Sequence, residues 1–91
     1  MRFEWGNTKR LANIRKHGID FVACEAFFEG RTVTLEDKRF DYGEQRFVSF
    51  GALEDRIVAV VHTETEELIR VISIRKATRR EQAYYFRKIK D

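Results

Sequence analysis

The chain has 91 residues, 43% of them apolar and 36% charged, with a formal net charge of +3. That length fits a single domain over residues 1–91 with a modest core and a stability on the order of 5–10 kcal/mol. A lone cysteine, Cys24, excludes an internal disulfide; no apolar run reaches the ~18–20 residues of a membrane span, and no zinc-like Cys/His spacing or glycine-rich phosphate loop is present. A cytoplasmic protein with no membrane, metal or cofactor is the expectation.

Met1 to Trp5 reads as a short strand with Phe3 and Trp5 on one face. Asn7 is placed to cap a helix that runs to about His17 and is stopped by Gly18. Asp20 caps a second helix carrying Phe21, Cys24, Ala26, Phe27 and Phe28, and Gly30 ends it. Arg31 to Leu35 alternates weakly, as a strand does. Glu36 to Glu44 is dense in charge and reads as a mobile loop. Three strands follow, Gln45–Leu53, Arg56–Glu64 and Leu68–Arg75, with connections too short for a crossover helix, so they form an antiparallel meander. Thr78 caps a last helix to about Ile89, with Glu81 at capping-box spacing and Ala83, Tyr84 and Phe86 as packing candidates. The expected fold class is α+β, an antiparallel β-meander with two N-terminal helices and one C-terminal helix packed on the sheet.

Charge is unevenly placed. Residues 70–91 hold eight Lys/Arg and two Asp/Glu, whereas residues 1–69 hold ten and thirteen. A basic end on a mildly acidic body suggests an anionic partner, nucleic acid first. Arg75 ends its strand at the sheet rim. Arg79 and Arg80 fall in the first turn of the last helix, where a cation opposes the dipole unless an anion joins it. Arg70 begins the same stretch. Glu81 is explained fully by capping.

Elsewhere, Lys16 and His17 precede the helix-stopping Gly18. They are candidates for a phosphate contact and an acid/base, or simply cations favoured at a helix C-terminus. Glu44 and Arg46 enter the first meander strand, as a base and a phosphate clamp or as a loop-end ion pair. His62 shares an apolar strand face with Val58 and Val60, where a histidine is more often a core group than a catalyst. If the anion is RNA, its own 2′-hydroxyl can attack the adjacent phosphate. His17, His62 or Glu44 would take the proton, while Arg46 and Arg75 hold the charge that develops. Without a metal-ligand cluster in the sequence, this chemistry is favoured over a two-metal nuclease.

Five stretches, in order, resemble the BrnT family, the toxin half of type II toxin–antitoxin pairs. They are Phe3-Glu4-Trp5; Asn13-Ile14-Arg15-Lys16-His17-Gly18-Ile19-Asp20-Phe21; Gly43-Glu44-Gln45-Arg46-Phe47; Val60-Val61-His62-Thr63-Glu64; and Arg70 through Glu81. Gly6 departs from the family's usual Asp, and Ile74 from a small residue. The resemblance implies a RelE-like ribonuclease fold and a toxin that cleaves RNA and inhibits translation. It also implies neutralisation by a BrnA-type ribbon-helix-helix antitoxin, with operator DNA bound only through the antitoxin complex. Under it, Lys16, Arg70, Arg79 and Arg80 are RNA-binding candidates, and His17, Glu44, Arg46, His62 and Arg75 catalytic ones. The rival from another class is a non-catalytic module whose basic corner docks an acidic protein partner.

Overall fold

The strand pattern builds one five-stranded sheet in the order Arg2–Glu4, Leu68–Lys76, Arg56–Glu64, Arg46–Leu53 and Thr32–Asp37. The computed structural model describes residues 1–90. Its strands are β1 (Arg2–Glu4), β2 (Thr32–Asp37), β3 (Arg46–Leu53), β4 (Arg56–Glu64) and β5 (Leu68–Lys76). The helices are α1 (Asn7–His17), α2 (Cys24–Glu29) and α3 (Arg79–Ile89).

The α+β class holds, and β2 through β5 pair antiparallel in sequence order. The sheet as a whole is mixed, however, because β1 lies parallel beside β5, Arg2 opposite Leu68 and Glu4 opposite Arg70. An all-antiparallel sheet is therefore corrected. The expectation of two N-terminal helices is corrected as well. Only α1 is a helix of several turns, while the segment after Asp20 is a 3₁₀ turn at Phe21–Ala23 running into the six-residue α2. The phenylalanines of that segment need to reach the sheet, and a tightened turn delivers them there.

Caps follow a similar pattern. Asp20 caps as expected, accepting from Val22 N–H. Thr78 and Glu81 form the expected capping box. At α1 the N-cap is Gly6 rather than Asn7, with no side-chain cap bond. In α3 the buried residue is Tyr85, whose hydroxyl donates to the Arg31 carbonyl at 2.8 Å, while Ala83 and Phe86 face out. The apolar stripe is thus shifted from the one expected.

Each face of the sheet has its own core. On the first face Val58, Val60, Ile69, Val71 and Ile74 pack against Ile19, Phe21, Cys24 and Phe27. Burial raises the Cys24 thiol pKa to about 12, so it stays an inert, neutral packing group. On the second face Phe50, Ile57 and Ala59 pack against Ala77, Tyr85 and neighbouring α3 side chains.

A bulge in β5 decides which arginines face where. His62 pairs with Val71 and Val61 with Ser73, so Ile72 is left without a partner. Strict alternation would separate Arg70 from Arg75. The extra residue instead puts both on the second face, with Thr63 and Ala59 as their respective partners on β4. Asn13 secures this irregular edge. β1 covers only three residues of β5, and beyond it the Asn13 amide donates to the Ile74 carbonyl at 2.9 Å and accepts from Ile74 N–H at 3.1 Å. The same amide donates to the Ile19 carbonyl at 2.9 Å. One buried side chain thus replaces a missing strand neighbour.

Candidate nucleic-acid interface

The helix α3 covers only part of the second face. The uncovered part forms an open groove of about 390 Å³ with Leu35, Val48, Phe50 and Val61 in its lining. The same groove is edged on one side by Arg75, Arg80, Glu81 and Tyr84, and on the other by Asp37, Lys38 and Arg39. The antiparallel register also lines up Asp37 opposite Arg46 and Thr63 opposite Arg70 on this face. The apolar floor is therefore bordered by cations at several points.

Arg75 is the best-defined of these. Its guanidinium donates to both Glu81 oxygens, at 2.7 and 2.9 Å. The pairing raises the Arg75 pKa and, through the same bonds, lowers that of Glu81. Glu81 thereby does two jobs, since its Oε1 also accepts from Thr78 N–H at 2.9 Å. Arg39 lines the same groove, and its positive charge acts against that of Arg75.

The opposite wall is built around Asp37. Its carboxylate accepts from Arg39 Nε at 2.9 Å, from the Arg39 backbone N–H at 3.2 Å and from the Tyr42 hydroxyl at 3.1 Å. Those bonds, Arg39 first, hold its pKa at about 2. The Arg46 guanidinium lies over the Tyr42 ring, 4.2 Å from its centroid. The segment expected as a mobile loop thus begins as strand, since β2 extends to Asp37, and continues as a cross-braced wall. The signal for it in the sequence is the acid–x–base spacing Asp37-x-Arg39, followed by two aromatics.

Other expected site residues are distributed as follows. Glu44 pairs with Arg70 rather than with Arg46, and Arg70 Nε also reaches Thr63 Oγ1 at 3.5 Å. Arg79 and Arg80 are exposed in the first turn of α3, and Arg80 lines the groove. Lys16 and His17 end α1 and do not line it. Because Asn13 sits at Ile74, His17, one turn further along α1, lies roughly 6 Å onward.

His62 is placed apart from all of these. It is 1% exposed on the first face, and its Nε2 is 2.7 Å from Ser49 Oγ. Phe28 meets its ring edge-on at 5.2 Å and Phe47 stacks at 5.9 Å. Burial lowers its pKa, favouring the neutral ring. Of the two alternatives for this histidine, the geometry matches a core group bonded to a serine.

Fold and groove together define a small α+β domain with a cation-edged cleft suited to a phosphate-bearing chain. A family model described as the ribonuclease toxin BrnT of type II toxin–antitoxin systems matches residues 5–81. The chain belongs to this family of type II toxin–antitoxin ribonuclease toxins. No curated protein matches it.

Proposed function

We propose that the groove binds RNA and cleaves it without a metal ion, inhibiting translation in the cytoplasm. The observation that carries this reading is the groove itself: an apolar floor between Arg75 and Arg80 on one side and Lys38 and Arg39 on the other. Among the described residues no group of three or more His, Cys, Asp or Glu side chains is arranged to hold a metal. Cations are the groups available to stabilise a phosphoryl charge.

In this mechanism the substrate's 2′-hydroxyl attacks the neighbouring phosphorus and the 5′-oxygen leaves. Arg75, presented as a fork by Glu81, holds the charge that develops on the phosphoryl oxygens, with Arg46 as a second clamp. Arg70, Arg79, Arg80 and Lys16 contact the flanking backbone. Glu44 and His17 are the acid/base candidates, and Glu44 must part from Arg70 to act. His62 serves the core.

Of the carboxylates lining the groove, Glu81 and Asp37 each occupy an arginine in the free protein, as does Glu44 outside the lining. A phosphate must displace or share these pairs, and an acidic segment of an antitoxin meets the same cations. We therefore extend the proposal to a BrnA-type ribbon-helix-helix antitoxin that covers this corner, with operator DNA bound only through that complex. The rival reading, a non-catalytic docking module, rests on the same capacity to accept carboxylates.

The deciding experiment is cleavage of a single-stranded RNA by purified protein in excess EDTA. Cleavage leaving a 2′,3′-cyclic phosphate is expected. Activity lost in EDTA and restored by magnesium would overturn the metal-free mechanism, and no cleavage under either condition would favour the docking module.

A further inference from the structure

Phe40 is 68% exposed, although a phenylalanine ordinarily gains by burial. Its position is nonetheless defined. The ring meets Tyr42 edge-to-face, centroids 5.8 Å apart, and the Arg39 guanidinium stands 5.9 Å from its centroid. Both neighbours are tied to Asp37, and Tyr42 also lies beneath Arg46. Arg39 lines the groove, and from it runs a chain of contacts in which two cations, Arg39 and Arg46, flank two rings, Phe40 and Tyr42.

We infer that Phe40 is a stacking platform for an unpaired base of the RNA strand whose phosphates lie in the groove. The inference rests on the reading of the groove as an RNA site and names its substrate as single-stranded. Arg39 lines the groove with its guanidinium 5.9 Å from the Phe40 centroid, so a strand held by Arg39 and Arg75 runs beside the exposed ring. Every base carries a π-face, and an exposed ring beside a guanidinium attracts it without reading its identity. A duplex keeps its base faces stacked internally and offers none to Phe40. Phe40 is thus a positioning residue, because it fixes which phosphate comes to rest at Arg75.

The test compares two uncleavable 2′-O-methyl strands of about six nucleotides, one carrying bases and one abasic with the same phosphates. Binding to the full chain is read by fluorescence anisotropy at fixed salt. Phe40→Ala is expected to weaken the base-carrying strand about tenfold and to leave the abasic strand unchanged, while Phe40→Trp retains wild-type affinity. Equal weakening of both strands would overturn the platform, since it would mean that the substitution disturbs the groove. No change with either strand would also overturn it, and would assign the ring to a protein partner. If wild-type protein cleaves RNA in these outcomes, only the platform falls. If wild-type protein binds neither strand and cleaves nothing, the RNA reading falls with it.

Discussion

The two faces of the sheet use polar side chains in opposite ways. On the first face they are sealed and committed to one partner set: His62 to Ser49, and Asn13 to the backbone of Ile74 and Ile19. On the second face solvent-accessible arginines are held in ion pairs that an incoming anion can exchange, as with Arg75–Glu81, Arg39–Asp37 and Arg70–Glu44. Buried groups of the first kind are costly to orphan, whereas exposed pairs contribute little to stability. The first face should therefore carry stability and the second activity, and substitutions on each face separate these roles.

The largest effect is expected from Arg75→Ala. Removing a preorganised donor to a developing oxyanion costs about 10²–10³ in kcat. Glu81 keeps its capping bond to Thr78 N–H in the variant, so the stability change should stay within about 1 kcal/mol. RNA cleavage rates and urea midpoints measured on the same preparation check both halves. A midpoint that collapses along with the rate would show that Arg75 serves the fold and that the division of labour is wrong.

Asn13→Ala should show the converse. It strips hydrogen bonds from the Ile74 N–H, the Ile74 carbonyl and the Ile19 carbonyl in a buried setting, and should cost about 2–4 kcal/mol. Urea denaturation reads this directly. A loss below about 0.5 kcal/mol would mean that water satisfies the edge of β5 as well as the amide does.

These two residues also mark how much could be read before the structure. Thr78 and Glu81 declared their helix because capping is a local code, and the meander followed from short polar connections. The place of β1 was not legible, since nothing local tells an N-terminal strand which edge it joins. Nor was the bulge at Ile72, which depends on how two distant strands settle their registers. It nevertheless decides that Arg70 and Arg75 share a face. The role of Asn13 was not legible either, because its partners lie up to 61 residues away. The arginines of the candidate site were visible by charge alone, but the wall opposite them was hidden in a segment that charge density marks as a loop. For His62 the period-2 count already pointed to the face of Val58 and Val60 and to a core group, and its burial assigns it there.

That assignment has a consequence for pH. The folded-state pKa of His62 lies below its unfolded value of about 6.5, because burial disfavours the charged ring. Well above pH 6.5 the ring is neutral in both states and contributes no pH dependence. As pH falls through that value the unfolded chain takes up a proton that the folded chain resists, so stability is lost, at most about 1.4 kcal/mol per pH unit. The carboxylates of Asp20, Asp37 and Glu81 have lowered pKa values, so their contribution persists above their unfolded pKa values and is lost only at lower pH. Between about pH 7.5 and pH 5.5 the buried histidine is thus separable from them. His62→Gln keeps a hydrogen-bonding amide near Ser49 but cannot titrate, so its urea stability should fall less over this window than that of wild type. Groups common to both proteins cancel in the comparison. Equal slopes would mean that His62 accepts its proton inside the fold, which would reopen a place for it in acid/base chemistry and weaken the distinction between the two faces.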